Sequence, residues 1–383
     1  MSDTTTYERP GSVLLAPTED GFVAYDTVRG RLHRLNPTAG LLAELCDGSR
    51  SVDELGHHLR PLVGAAWPRW QRWLEEATSD GLLTSTGGGG EPSAPELHRL
   101  AHRLQQRDEV LGAWVCQRRA AELAPQVPDY WLRLGELAHI TGRRTEAHDA
   151  YRRYLDHQPD DAEVAHLVLA LADEAPPNRV PDRCLEQLYD RFATFYDENM
   201  VDELGYRAPD QLHEAVRAHQ DDHEPASVLD LGCGTGLSGV RWRAHTAALV
   251  GVDLSPAMVA RARQRGIYDR LHQSEITRWL REAPGERFDL VLACDTLIYF
   301  GDLSDPLRLA GARLTPTGLL AFTAERGDHA PFRLSDSGRF THHPDHIRAA
   351  VAAAELTLLG LDESVLRSEY GEPVTGLIAV CGR

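Results

Sequence analysis

From Ser227 to Gly236 the chain reads Ser-Val-Leu-Asp-Leu-Gly-Cys-Gly-Thr-Gly, an apolar run that passes directly into glycines at 232, 234 and 236. Such a run reads as a buried strand, and the glycines as a tight turn into a helix. Without Cβ atoms there, the backbone can come close to a ligand and present amides at a helix start, an arrangement suited to nucleotide cofactors. A second apolar run, Ala248 to Asp253, ends in a carboxylate about 20 residues further on, where a ribose diol lies in a doubly wound sheet. Ser255-Pro256 then caps a further helix. These features predict an α/β, Rossmann-like domain over residues 182–383.

Asp230, two residues before the first glycine, narrows the ligand. A dinucleotide must seat a pyrophosphate at that turn, where an acid is unwelcome; an acid instead suits a cation. The amino group of an amino-acid tail is such a cation, and S-adenosylmethionine (SAM) has one where NAD has none. The block Asp230-x-Gly232-x-Gly234-x-Gly236 resembles the first motif of class I SAM-dependent methyltransferases, and Phe288 to Phe300 resembles their fourth-strand motif. The resemblance implies that Asp230, Gly232, Gly234 and Gly236 hold the methionine part. Asp253 would hold the ribose hydroxyls, Leu254 and Met258 flank the adenine, Glu275 and Ile276 lie at its edge, and Asp295 borders the cleft where the methyl is transferred.

Tyr189 to Glu198, Leu204 to Pro209, Tyr299 to Leu303, and the pair Arg367 and Glu369 resemble the tetratricopeptide-associated methyltransferases over roughly residues 97 to 383. That resemblance implies that Phe192 to Tyr196 belong to a helix covering the cofactor; as plain sequence they also fit an amphipathic helix packing its aromatics into the core. Transfer of a methyl from a sulfonium needs alignment and exclusion of water above all, and a base only where the acceptor must shed a proton. Candidate catalytic groups are Tyr299, His342 and His343, the two histidines standing in a loop before a helix, where a cap is the other reading. The His pair has no Cys, Asp or Glu at ligand spacing, so no metal site is expected.

Upstream, two breaks divide the chain. Residues 84–95 include four consecutive glycines and read as a flexible linker; residues 173–181 are rich in proline and separate helical sequence from alternating strands and helices. Residues 1–83 read as a winged-helix-like α+β domain: strands at 12–16, 22–27 and 31–35, a helix capped at Asn36-Pro37, a capping box at Ser51 to Glu54, a third helix from Trp67-Pro68, and a small strand at 81–83. Residues 96–175 read as helical repeats of the tetratricopeptide type, with Trp131, Leu134, Gly135, Ala147, Tyr151 and Pro159 at repeat positions.

Leu35-Asn-Pro-Thr-Ala39, Leu45 to Gly48 and Ser51 to Leu55 following two hairpin strands resemble the PqqD-like recognition domain of pathways that modify ribosomally synthesised peptides. The resemblance implies a precursor-peptide partner whose leader binds residues 12–83 as an added strand, beside Arg31, Leu32, His33, Arg34 and Leu35. On this reading the protein methylates a ribosomally made peptide; the alternative is a small-molecule methyltransferase whose first domain is structural.

Composition sets the remaining limits. Acidic side chains number 58 against 40 basic ones, a net charge of −18, and all 40 are arginine, which rules out lysine chemistry. Nucleic acid and anionic membrane are poor partners for so acidic a chain. Residues 1 to 88 are themselves acidic, and the second helix there has Arg60 as its one arginine, which does not suit a DNA-recognition helix. Six scattered cysteines without a C-x-x-C pair, no signal-like N-terminus and no long apolar run predict a cytoplasmic protein. Self-association stays open.

Overall fold

A computed structural model describes residues 5–85, 90–172, 175–220, 224–283, 285–369 and 371–383. The chain divides into two compact units, Met1–Gln158 and Pro159–Arg383.

The first unit opens with β1 (Thr6–Glu8), then the antiparallel sheet of β2 (Val13–Thr18), β3 (Gly21–Asp26) and β4 (Arg31–Leu35), in that spatial order. α1 (Pro37–Leu45) starts where expected, the Asn36 side chain accepting from the amide of Ala39 at 2.9 Å. β5 (Asp47–Ser51) pairs with β1, which the sequence reading missed. Both are short and polar, so no alternation betrays them. Thr84 bridges Glu8, in place of the strand expected at 81–83.

α2 (Val52–Val63) carries the Ser51–Glu54 capping box, and α3 (Trp67–Ser79) puts Trp67 in the core with Trp70 and Trp73 packed against it. α4 (Ala94–Gln105), α5 (Val110–Leu123), α6 (Pro128–Ile140) and α7 (Arg144–Leu155) follow as antiparallel pairs. Gly135 on α6 has no Cβ because the Tyr151 ring on α7 fills that space, 2.4 Å from where the atom would stand.

The three expected modules thus form two units. α5 packs on β2 and β3, joining the first module to the helices. Residues 86–89 of the supposed linker, Thr86 and three of its four glycines, lie outside the described residues. α8 (Ala162–Leu171), assigned from sequence to the repeats, belongs to the second unit. There Gln187 accepts from the Ala162 amide at 2.8 Å and His166 bonds the Gly338 carbonyl at 2.8 Å.

In the second unit α9 (Asp182–Phe192), α10 (Tyr196–Glu198) and a π-helical turn over Asn199–Glu203 precede α11 (Ala208–His219). The α/β part runs β6 (Ser227–Leu231), α12 (Leu237–Arg243), β7 (Ala248–Asp253), α13 (Pro256–Arg265), β8 (Arg270–Gln273), α14 (Ile276–Glu282) and β9 (Phe288–Ala293). It continues through α15 (Ser304–Gly311), β10 (Leu314–Arg326), β11 (Phe332–Leu334), β12 (Phe340–His342), α16 (Pro344–Ala353), β13 (Thr357–Glu369) and β14 (Glu372–Gly382).

The sheet runs β8-β7-β6-β9-β10-β14-β13, parallel through β10 and antiparallel at β14, with β12 and β11 added beside the far end of β10. Leu229, Val250 and Val291 pack on one face, and Val228, Leu249 and Leu290 on the other. Burial on both faces explains why these strands read as unbroken apolar runs. Strand order reverses between β6 and β9, which opens a crevice at their C-terminal ends.

Candidate active site

The turn after β6 lines that crevice. Gly232 has φ +68, and a Cβ there would stand 2.2 Å from Oγ1 of Thr296, so both the conformation and the space demand glycine. Around a Cβ placed at Gly234 there is nothing within 4 Å, so this side of the turn is open. The Gly234 amide donates to Oδ2 of Asp253 at 2.8 Å, and the Ser255 amide donates to Oδ1 at 2.9 Å. Burial nevertheless pushes the Asp253 carboxyl up to about 6.

Arg179, Leu185, Tyr189, Tyr196, Gly232, Gly234, Asp253, Leu254, Met258, Glu275, Ile276, Asp295, Thr296, Tyr299 and Phe300 line this cleft, with Cys294. Eight of the ten cofactor residues expected from sequence are thereby brought together, and Asp230 and Gly236 are not among them. Gly236, at φ +98, starts α12 instead.

Asp230, expected to hold the ligand's amino group, does not line the cleft. Its carboxylate is 1% exposed, and Oδ2 accepts the Tyr268 hydroxyl at 2.7 Å while Oδ1 has no hydrogen-bond partner. Gly251 makes the room: a Cβ there would meet the Tyr268 ring at 3.0 Å and Sγ of Cys233 at 2.9 Å. Burial raises the Asp230 carboxyl to about 7. Glu275 also has a structural duty, its carboxylate capping α14 through the amides of Thr277 at 2.9 Å and Arg278 at 2.8 Å.

A second cavity, about 510 Å³, adjoins the cleft. Tyr189, Tyr196, Asp295 and Tyr299 border both. Leu188, Phe192 and Met200 line its apolar side, and Arg339, Arg367 and Glu369 its polar side. Asp295 sits at φ +51, held by Thr323, whose Oγ1 accepts from the Asp295 amide at 2.7 Å and donates to Oδ1 at 2.8 Å. The hydroxyls of Tyr189 and Tyr299 bond each other, and burial raises Tyr299 to about 12 and Tyr189 well above the ordinary phenol value.

α9 and the turns after it cover both spaces. Asp190 accepts from Oγ of Ser255 at 2.7 Å, Asp197 accepts from Thr235 and Arg265, and Nη2 of Arg261 reaches the Thr194 carbonyl at 3.1 Å. Phe192 and Phe195 stay exposed, so the core-packing reading of this segment fails for them, while Tyr189 and Tyr196 point inward.

Of the catalytic candidates, Tyr299 alone borders the cleft and the second cavity. His342 is wholly buried on β12, stacked on His346 with ring centroids 5.4 Å apart, and burial lowers it to about 3. His343 caps α16, its Nδ1 accepting from the Asp345 amide at 3.2 Å. Neither histidine lines the cleft or the second cavity.

The sequence reading also missed Arg179. It lies in the proline-rich break, yet that strand of chain is stitched to the site: the Val180 amide donates to the Tyr299 carbonyl at 2.9 Å, and the Arg179 guanidinium lies 3.9 Å from Glu275. No local pattern could have shown this.

In unit 1, β4 forms one edge of its sheet. Arg31, Leu32 and Arg34 are exposed and His33 is half-buried, but the Leu35 side chain belongs to the core, so it is not a surface contact.

Residues 229–320 match the family model described as "Methyltransferase domain". The chain is 35% identical over 121 residues to methyltransferase-like protein 27 of Homo sapiens, covering 31% of this chain and 49% of that protein. It is 29% identical over 163 residues to the ubiquinone biosynthesis O-methyltransferase of Azorhizobium caulinodans, covering 39% and 64%. The chain therefore spans about half to two thirds of the length of these relatives. Among solved structures, the 1,6-didemethyltoxoflavin-N1-methyltransferase of Burkholderia thailandensis is similar with a TM-score of 0.41 and 20% identity, covering 55% of this chain and 94% of that one. The cleft's glycine turn, Asp253 and Asp295 all fall inside the segment that matches the methyltransferase domain model.

Proposed function

We propose that the protein transfers a methyl group from SAM to a small molecule seated in the second cavity. One observation carries this: the cofactor-type cleft and the second cavity meet at Tyr189, Tyr196, Asp295 and Tyr299, so ligands in the two spaces face each other across that border. The open glycine turn and the half-buried carboxylate of Asp253 fit the cofactor. Gly232 and Gly234 would take its amino-acid part, Asp253 its ribose, and Leu254, Met258 and Ile276 its adenine, with Glu275 at the edge. When bound, SAM supplies an electrophilic methyl on a cationic sulfur.

The chain's own residues supply alignment and dryness. Tyr189, Tyr196 and the α9 cover keep water from the border, and Asp295, fixed by Thr323 and Arg367, sets a rigid polar wall. Tyr299 stays a neutral phenol at physiological pH, so it orients an acceptor by hydrogen bonding and is not a base. The name of the ubiquinone biosynthesis relative supports a small-molecule acceptor.

Titration calorimetry of the full chain with S-adenosylhomocysteine tests the cofactor half of this reading. Binding is expected, weakened at least about tenfold by Asp253→Ala; absence of binding to the parent protein would remove it.

A second reading, that the acceptor is a ribosomally made peptide with its leader on β4, is supported by the exposed Arg31, Leu32 and Arg34 on that edge. Fluorescence anisotropy of the full chain with labelled candidate leader peptides separates the two. Saturable binding lost in a Leu32→Pro variant favours the peptide; none favours the small molecule.

A further inference from the structure

The second cavity carries an excess of negative charge, and its cations are already occupied. Glu203, Asp295 and Glu369 line it, and Glu325 stands behind them, against two guanidiniums. Arg367, 4% exposed, spends every nitrogen on a carboxylate: Nε on Glu369 at 2.7 Å, Nη1 on Asp295 at 2.8 Å and Nη2 on Glu325. Arg339 gives Nε to Glu325 at 2.7 Å and Nη2 to Glu369 at 2.6 Å. Among the described residues lining it, Arg367 has no nitrogen left for a carboxylate and Arg339 keeps only Nη1, so neither presents the two-pronged fork that recognises a carboxylate.

A carboxylate-bearing acceptor would enter against two uncompensated negative charges with no fork to meet it. A protonated amine meets the opposite situation. Glu203 is exposed at the cavity, one oxygen held by Nδ2 of Asn199 at 2.6 Å, and the rings of Tyr189, Phe192, Tyr196 and Tyr299 offer faces that attract a cation.

Building on the methyltransferase reading above, we propose that the acceptor is a small amine carrying an apolar group, drawn in as a cation and methylated on nitrogen. The ammonium first releases one proton to water. The nitrogen lone pair then forms the N–C bond as the C–S bond of the methyl donor breaks with its electron pair going to sulfur, leaving a methylated ammonium and a neutral thioether.

The test uses the full chain saturated with S-adenosylhomocysteine and two probes of one shape and opposite charge, phenethylamine and 3-phenylpropionate, each titrated by calorimetry at low salt. The amine should bind at least about tenfold more tightly. Raising the salt should shrink that ratio, and Glu203→Gln should weaken the amine several-fold while S-adenosylhomocysteine still binds. Equal binding, tighter binding of the carboxylate, binding of neither probe, or an amine affinity untouched by Glu203→Gln overturns the proposal. Failure of S-adenosylhomocysteine itself to bind is a separate result, which strikes the methyltransferase reading.

Discussion

Arg367 donates from Nη1 to Oδ2 of Asp295 at 2.8 Å across 72 residues of sequence, tying the last long hairpin of the sheet to the loop that borders both cavities. The bond belongs to a buried network in which one guanidinium serves three carboxylates. Removing that cation strands Asp295 and leaves Glu325 and Glu369 to Arg339 alone, so Arg367→Met should cost roughly 3–5 kcal/mol. Arg367→Lys should recover little of it, because an ammonium cannot reproduce the planar, divergent fork. Urea denaturation of the three proteins measures this; a loss under about 1 kcal/mol for Arg367→Met would contradict the network's role.

The Tyr189 and Tyr299 hydroxyls are each other's partners at the border, with rings edge to face at 5.9 Å. Tyr189→Phe and Tyr299→Phe should each cost about 1 kcal/mol, and the double variant little more than either single one, since the bond is lost once. A double-mutant cycle of unfolding free energies checks it, additivity being the contrary outcome.

How much of this was legible in the sequence depends on the range of the interactions. The glycine turn and Asp253 were readable because strand, turn and helix start are contiguous and each leaves a local pattern, whereas Leu254, Met258 and Ile276 came from the resemblance alone. Asp230 was read as an acid that holds the ligand's amino group; its burial and its bond to Tyr268, which reaches it from a loop that carries no pattern of its own, were not legible. Arg367 and Glu369 stood out as a resemblance, yet their partners Asp295, Glu325 and Arg339 come from separate strands and loops, so the network appears only in three dimensions. Residues 178–180 were misread as connector for the same reason: proline-rich chain looks open until its bonds to Tyr299 and Gly301 are seen.

A buried and a half-buried acid give the stability an unusual slope with pH. Asp230 titrates at about 7 and Asp253 at about 6 in the folded chain, against about 4 when unfolded. Between those limits the folded protein keeps protons that the unfolded chain has released. The contribution of these groups to stability therefore falls as pH rises from about 4 to about 7, and then levels. Asp230→Asn keeps an acceptor for the Tyr268 hydroxyl and removes the buried charge. It should be more stable than the parent at pH 8 by roughly 1–3 kcal/mol, with the gap closing by about pH 4. Thermal or urea unfolding across that range decides it; a gap that widens toward low pH would show the sign to be wrong.

The two histidines separate by location. His342 is held neutral by burial, its ordinary value of 6.5 lowered to about 3. Its contribution is complete above about 6.5 and is lost as pH falls from there toward 3, because the unfolded chain takes up a proton that the folded core refuses. The acid limb of the stability curve should thus flatten in His342→Leu. His343 is neutral in its effect on the cavities, and His343→Ala should lose at most about 1 kcal/mol as an α16 cap. Calorimetric affinity for S-adenosylhomocysteine should stay within about twofold of the parent in both variants; a tenfold loss in either would bring that histidine back into the site.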